Sequence, residues 1–225
     1  MTVDRMRRHR VWDLPSRLSH WAIALLVFAQ FSSGLFELLP MSTHLWCGYA
    51  LIVVVLFRIL WGFFGSDSAR FSRFLRGPSA VLRYARSLSS AQPSHWPGHN
   101  PIGGWSVVLL LAFTLVQAVS GLFAGKIGDL MGPLAGRVDR DLSHALNDLH
   151  ESFVWLLLLL VTTHIGAGLF YLLHKRENLI APMFGNGRLP LEHDPNVRFA
   201  SSLRALSLLS LSAIVVMALV RWGET

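Results

Sequence analysis

The sequence has one cysteine and few charged residues. Cys47 is the only cysteine in 225 residues, which excludes an internal disulfide and any CxxC motif for metal binding or cofactor attachment. Charged residues make up 15% of the chain and hydrophobic residues 52%, a balance that is rare in a soluble domain. The scarcity of charge makes a membrane protein the first class to test.

Apolar runs of about twenty residues recur along the chain, each long enough to cross about 30 Å of hydrocarbon. They predict membrane-spanning helices over residues 17–38, 44–64, 104–124, 149–173 and 204–221. The first run lacks a small-residue cleavage site, so we expect a retained span and not a signal peptide. The predicted fold is an all-α integral membrane helix bundle, with a domain over 1–180 and a linker and fifth helix over 181–225.

Turn residues mark the ends of these spans. Asp13 followed by Pro15 is typical of a helix start, and Pro40 separates the first two spans. The breaker-rich run PSHWPGHNPIGG precedes the third span. The longest connection, about 65–103, is basic, and we expect a short surface helix around RGPSAVLRYARSL that contacts lipid headgroups.

Charge patterning predicts the orientation in the membrane. The net charge is +7, but the charges lie between apolar runs, which favours membrane topology over nucleic-acid binding. With the N-terminus inside, only four of the twenty Lys and Arg residues fall in outer segments, namely Lys126, Arg137, Arg140 and Arg221. The positive-inside bias therefore predicts a cytoplasmic N-terminus and, with five spans, an outer C-terminus.

Four of the ten histidines lie in or beside the spans: His20, His44, His150 and His164. Ionisable groups there are costly and indicate a functional site, although a histidine bonded to a neighbouring helix is an open alternative. His150 and His164 are fourteen residues apart, so they share one helical face within about 40° and are about 21 Å apart. Span order matches His44 with His150 on the outer side and, more loosely, His20 with His164 on the inner side.

Two pairs of imidazoles in an apolar bundle suit haem b, whose iron takes two axial histidines. Zinc would want carboxylate or cysteine partners at one level, and copper would want methionine beside histidine. Neither cluster is visible in the sequence.

The fourteen-residue step recurs on the first two spans. Gly34 follows His20 by this step, and we expect it at the outer level, where a missing side chain admits a flat macrocycle; ordinary small-residue packing is the alternative. Arg58 follows His44 by the same step and is expected to pair with an inner propionate, as is Arg17. Snorkelling of Arg58 toward the cytoplasm is the alternative there.

The sequence resembles the bacterial cytochrome b561 family, which includes the b-type subunits of nickel–iron hydrogenases. The matching stretches are VWDLPSRLSHW, HLWCGYALIVVVLFRILWG, GHNPIGGW, LHESF with TTH, and HKRENL, covering about residues 10–180. The resemblance implies a four-helix core that binds haem b, and His20, His44, His150 and His164 fall on the family's ligand positions. From the two histidine pairs we predict two haem b groups per chain. It also implies a multi-pass protein of the bacterial inner membrane.

The function that we predict is electron transfer between the quinone pool and a periplasmic cytochrome c or an oxidoreductase or hydrogenase subunit. Tyr49, Asn100 and Gln117 are polar groups available to a quinone, but their spacing singles out none of them. One alternative is a self-contained quinol-oxidising enzyme, such as a quinol:superoxide oxidoreductase. Another is a haem-free anchor or transporter, and a homodimer is left open.

Overall fold

The computed structural model of the protein describes residues 7–88, 96–125 and 131–225. Arg5 and Lys126, which entered the charge comparison, and the start of the breaker run at 93–95 lie outside these residues. The described helices are α1 Leu14–Gln30, α2 Met41–Phe64, α3 Phe71–Phe74, α4 Pro78–Ser87, α5 Pro101–Gly121, α6 Arg140–Leu173, α7 Ala181–Phe184 and α8 Ser202–Glu224.

Five of the described helices, namely α1, α2, α5, α6 and α8, are long and apolar enough to cross a membrane. The all-α prediction with five spans is therefore confirmed. The start of the fourth span at 149 is wrong, because α6 already begins at Arg140. Asp139 Oδ1 accepts a hydrogen bond from the Leu142 backbone N–H at 2.8 Å, and this cap starts the helix with polar turns ahead of the apolar run.

The start of α1 agrees with the Asp–x–Pro signal. Asp13 is buried, and its Oδ1 accepts from the Ser16 backbone N–H at 2.8 Å, which satisfies one of the free donors of the first turn. Its Oδ2 accepts from Trp61 Nε1 at 3.0 Å. The cap therefore also fixes the end of α2 nearest to Trp61.

The C-terminal end of α1 is a π-helical turn over Phe31–Leu35, where the Phe36 N–H donates to the Phe31 carbonyl at 2.9 Å. A π turn holds more residues than an α turn and rotates the side chains that follow it. The prediction for Gly34 assumed an uninterrupted α-helix over the fourteen residues from His20 to Gly34, and this assumption is wrong.

The surface helix predicted near 76–88 is confirmed as α4, but the sequence did not predict strands. Strand β1, Arg7–Arg10, pairs antiparallel with β2, Arg188–Leu191. Leu189 and Leu191 on β2 are buried in a cluster with Val11 and Trp12. This packing, and not the polar sequence of β1, accounts for the pairing.

The chain forms two compact units. Unit 1 comprises Met1–Leu18, Leu60–Leu109 and Val161–Ala205. Within it, the hydroxyls of Tyr84 and Tyr171 lie 2.5 Å apart, and Asn100 Nδ2 donates to the Tyr171 hydroxyl at 3.1 Å. This network ties the surface helix α4 to the C-terminal end of α6.

Unit 2 comprises Ser19–Ile59, Leu110–Leu160 and Leu206–Thr225. Its core is a buried cluster of Ile52, Ala118, Leu122, Leu134, Val216 and Val220. Because the last two residues belong to α8, the fifth helix packs on α2 and α5 within this unit. The predicted division of the chain at residue 180 stays a prediction.

Candidate functional site

His44 and His150 lie close together in unit 2. His44 is in the first turn of α2, and His150 is in the first half of α6. Their ring centroids are 6.0 Å apart and their planes cross at 87°. The two histidines that the sequence assigned to the outer level are thus neighbours in the fold.

The His150 ring is held by the last turns of α5. Its Nδ1 lies 2.7 Å from the backbone oxygen of Gln117, and the Gln117 Nε2 donates to the His150 carbonyl at 2.8 Å. A carbonyl oxygen can only accept, so Nδ1 carries the proton. This leaves Nε2 of His150 with a lone pair for a metal.

The His44 ring is held by the end of α1. Its Nδ1 lies 3.1 Å from Ser33 Oγ, whose own proton is given to the Ala29 carbonyl at 2.7 Å. The hydroxyl therefore accepts from Nδ1–H, which again leaves Nε2 for a metal. With its amide oriented to suit its neighbours, Gln30 donates to the His44 carbonyl at 2.9 Å.

Glycines give both rings their space. A Cβ placed on Gly34 would lie 2.6 Å from Cε1 of His44, and one on Gly121 would lie 2.8 Å from Cε1 of His150. Contacts this short are not tolerated without a shift of the ring or the helix. The missing side chain at Gly34 therefore makes room for the His44 imidazole in this structure, where the sequence had suggested room for a macrocycle.

The residues around the two rings form a repeated pattern, Q-x-x-S-G, which occurs as QFSSG at 30–34 and as QAVSG at 117–121. We call the first segment with His44 the His44 half-site, and the second with His150 the His150 half-site. In each, the glutamine amide contacts the histidine carbonyl, the serine lies near Nδ1 and the glycine lies against the ring. Sequence reasoning missed this repeat, although both copies stand in the printed sequence.

The donor set fits a haem better than a small metal centre. No group of three or more His, Cys, Asp or Glu side chains that could hold an ion occurs among residues 7–88, 96–125 and 131–225, as a zinc site would require. Metal–imidazole bonds are about 2 Å long, so two axial rings on one iron have centroids separated by about 6 Å. The observed 6.0 Å separation of the His44 and His150 rings matches this arrangement.

Six of the fourteen residues that line the crevice beside the two rings are small, and small residues let a flat group approach the backbone. The free volume of the crevice is about 50 Å³. A porphyrin is larger than this volume, so a porphyrin bound there would extend beyond the crevice. Six of the lining residues are glycine or alanine: Gly48, Ala118, Gly121, Ala124, Gly125 and Gly132.

The other predicted site residues occupy separate places. His20 is half-buried in unit 2, with its ring 5.0 Å from that of Trp21, whereas His164 belongs to unit 1. Arg58 is buried in unit 2 with 7% of its surface exposed. Arg17, in unit 1, donates from a guanidinium nitrogen to the Gly185 carbonyl. Their roles toward a second haem stay predictions.

Five apolar helices and a pair of pre-oriented imidazoles define a class, the multi-pass membrane b-type cytochromes. The family model described as prokaryotic cytochrome b561 matches residues 11–186, and the chain belongs to this family. The family binds haem b and serves electron transfer in membranes.

Curated relatives agree with this assignment. A protein of Azotobacter vinelandii named "Probable Ni/Fe-hydrogenase B-type cytochrome subunit" is 25% identical over an alignment of 224 positions, gaps included, and the match covers 83% of this chain and 90% of the relative. Proteins of the same name from Cupriavidus necator and Bradyrhizobium diazoefficiens are 23% and 24% identical, with 79% of this chain covered in each case and 86% and 85% of the relatives. No solved structure matches the chain.

Proposed function

We propose that this protein is a dihaem b-type cytochrome that passes electrons between membrane quinone and a redox partner at the membrane surface. The observation that supports this most is the His44–His150 pair, with ring centroids 6.0 Å apart and both Nδ1 atoms on acceptors. Bound there, haem b supplies one-electron exchange between ferric and ferrous iron.

The two half-sites favour electron transfer over chemistry at the metal. Each would offer one Nε2 atom to the iron, and a haem held by both histidines would have no coordination site left for oxygen or substrate. The hydrogen bonds from Nδ1 fix the tautomer and the direction of each ring before the metal binds. A ligand set that needs no rearrangement between the two oxidation states suits a relay of single electrons.

A second haem is proposed, with His20 and His164 as its candidate ligands. Arg58 and Arg17 are proposed as partners for its propionates, because guanidinium groups bind carboxylates in a bidentate manner. Support for Arg58 comes from its burial in an apolar helix, because an ionisable group inside a membrane span indicates a functional role.

The proposed partner is an oxidoreductase subunit, on the strength of relatives that are named as cytochrome subunits of Ni/Fe-hydrogenases. We propose that the protein lies in the bacterial inner membrane with its N-terminus in the cytoplasm. A periplasmic cytochrome c is the second candidate partner.

Haem content tests the cofactor assignment. The purified protein should give a reduced-minus-oxidised spectrum of b type, and pyridine haemochrome quantification should give two haems per chain. A protein without haem would contradict the proposal as a whole, and one haem per chain would contradict the second site.

The electron donor is tested by rapid mixing of the oxidised protein with a short-chain quinol. We expect the haem bands to become reduced and to stay reduced when superoxide is then added. Fast reoxidation with consumption of superoxide would favour the quinol:superoxide oxidoreductase. Failure of the quinol to reduce the protein would contradict the quinone assignment.

A further inference from the structure

A pocket in unit 1 lies between strand β1 and the segment that leads into α8. Its volume is about 660 Å³, and its lining includes Arg10 from β1 and Arg198 and Phe199 from the segment. We call it the arginine pocket. Two of the helices that can span a membrane begin near it in the chain, α1 at Leu14 and α8 at Ser202. The pocket therefore belongs to the surface at which these helices enter the membrane.

The wall that carries Arg198 is fixed to the residues that follow α2. The Asp67 backbone N–H donates to the Arg198 carbonyl at 3.0 Å, and the Arg198 N–H donates to Asp67 Oδ2 at 3.3 Å. The Ala200 N–H donates to Ser66 Oγ at 3.0 Å. This wall of the arginine pocket is therefore part of the folded unit and not a free loop.

The guanidinium of Arg10 is held by an aromatic ring. Its central carbon lies 4.7 Å from the centre of the Phe199 ring, which is a cation–π contact. A contact of this kind leaves N–H groups of the guanidinium for an anion. In the described part of the chain, neither Arg10 nor Arg198 forms an ion pair. Both side chains are therefore available to a negatively charged ligand.

Asp194 is the one carboxylate among the described residues that line the arginine pocket. Its Oδ1 accepts from the Asn196 backbone N–H at 2.9 Å, and its Oδ2 lies 3.5 Å from His9 Nδ1. Both oxygens are therefore engaged with groups of the protein, and Asp194 leaves the two arginines to the ligand.

Strand pairing adds positive charge beside the pocket. Arg10 is the direct partner of Arg188 on β2, so their side chains lie on the same face of the sheet. Arg8 shares this face because it is two residues from Arg10. All three side chains are exposed. Like charges that face each other across a strand pair repel, and a bound anion nearby reduces this repulsion.

The anion that suits this place is a phosphate carried by a lipid. Arginine binds phosphate oxygens with its fork of N–H groups, and basic pockets at the ends of spanning helices bind the headgroups of anionic lipids. Apolar surface follows along the chain, since Phe199 is 41% exposed and Leu203, at the start of α8, is 75% exposed. A lipid can therefore place its phosphate on the arginines and its acyl chains along the helix.

We propose that the arginine pocket binds the phosphate of an anionic phospholipid headgroup, with Arg10 and Arg198 as the donors. The site is separate from the His44 and His150 half-sites and from the surface helix α4. The inference goes beyond the proposed function and does not rest on it, because neither haem nor quinone takes part.

The test is native mass spectrometry of the full-length, haem-loaded protein in detergent, titrated with phosphatidylglycerol and, in parallel, with phosphatidylcholine. The choline cation offsets the phosphate charge of the second lipid. A hydrogen bond to a charged group corresponds to about a tenfold change in affinity. We expect the first phosphatidylglycerol to bind about tenfold more tightly than the first phosphatidylcholine, and equal affinity would overturn the inference.

Arg10→Gln and Arg198→Gln should each weaken the binding of phosphatidylglycerol by about tenfold. Arg83→Gln is the matched control, because it removes the same charge from an exposed arginine of α4 outside the pocket, and it should leave the affinity unchanged. Arg10→Lys covers the case in which Arg10→Gln does not fold; it keeps the charge without the fork and should weaken binding less. No loss in the pocket variants, or an equal loss in the control, would contradict the proposal.

Inorganic phosphate distinguishes a lipid from a soluble anion. Phosphatidylglycerol should raise the temperature of thermal unfolding in detergent, whereas inorganic phosphate alone should not. Equal protection by inorganic phosphate would assign the pocket to a soluble anion and would overturn the lipid assignment.

Discussion

The His44 and His150 half-sites use the same five-residue pattern at two different kinds of helix end. QFSSG begins at Gln30, the last residue of α1, and continues into the π-helical turn, whereas QAVSG forms the last residues of the α-helix α5. In the first, the carbonyls of Phe31 and Ser32 accept from Phe36 and Leu38 at 2.9 and 2.7 Å. In both, the backbone of the glutamine that opens the pattern hydrogen-bonds to the histidine ring.

This comparison shows that one five-residue pattern can hold an imidazole at a π-helical end and at an α-helical end. A backbone acceptor remains as long as the helix does, and no single side-chain change removes it. A hydroxyl acceptor can be removed or exchanged without loss of the helix. Each ring therefore has a backbone acceptor that the fold supplies, and the serine of the pattern lies near the same nitrogen.

The largest expected effect comes from removing either ring. His44→Ala and His150→Ala should each lower the haem content from two to one per chain, because one axial imidazole does not hold a six-coordinate haem. The haem that survives should show the same midpoint potential in both variants. If the two variants kept different haems, the two histidines would belong to different haem sites, and the pairing of the half-sites would be contradicted.

Filling the space beside the rings should have the next largest effect. Gly34→Ala and Gly121→Ala introduce contacts of 2.6 and 2.8 Å with the rings, which we expect to cost about 1–3 kcal/mol by overpacking. Thermal release of haem should occur at a lower temperature in both variants. Gly166→Ala is the matched control on α6, because nothing lies within 4 Å of a Cβ there. Alanine favours a helix more than glycine does, so the control should lose no stability, and an equal loss there would contradict the role of the ring contacts.

Removal of the glutamine amides should have a moderate effect. Gln30→Leu and Gln117→Leu each delete a hydrogen bond to a histidine carbonyl, of 2.9 and 2.8 Å, and we expect about 1 kcal/mol of lost stability for each. The measurement is the midpoint of thermal unfolding in detergent with haem bound. The two values should be similar, since this part of the pattern is the same on both sides. A large loss of stability in only one of the two variants would show that the two glutamines do not have the same role.

The smallest effect on the half-sites is expected from a change in unit 1. Asp13→Ala removes the cap of α1 and the acceptor of Trp61, which should cost about 1–2 kcal/mol of stability. The resonance signal of the haem at His44 and His150 should stay unchanged. A change in that signal would show that the half-sites depend on the helix start.

Strong local signals were readable from the sequence. The Asp13–Pro15 helix start is predictable because a cap involves only neighbouring residues. The order of the spans also placed His44 and His150 at one depth, since a helix that crosses a membrane returns on the other side.

Other features depend on packing that no local pattern encodes. The π turn at Phe31–Leu35 contains no proline, and strand β1 is polar and pairs because Leu189 and Leu191 on its partner are buried. The Q-x-x-S-G repeat is visible in the sequence, but it does not by itself indicate a site, because glutamine, serine and glycine are common in helices. Only their contacts with the two rings distinguish them.

Haem content of the double variant His44→Ala/His150→Ala tests the central claim most directly. Pyridine haemochrome quantification against protein concentration should give two b haems in the unmodified protein and one in the double variant, because both rings belong to one site. A double variant that still held two haems, or one that had lost both, would contradict the account.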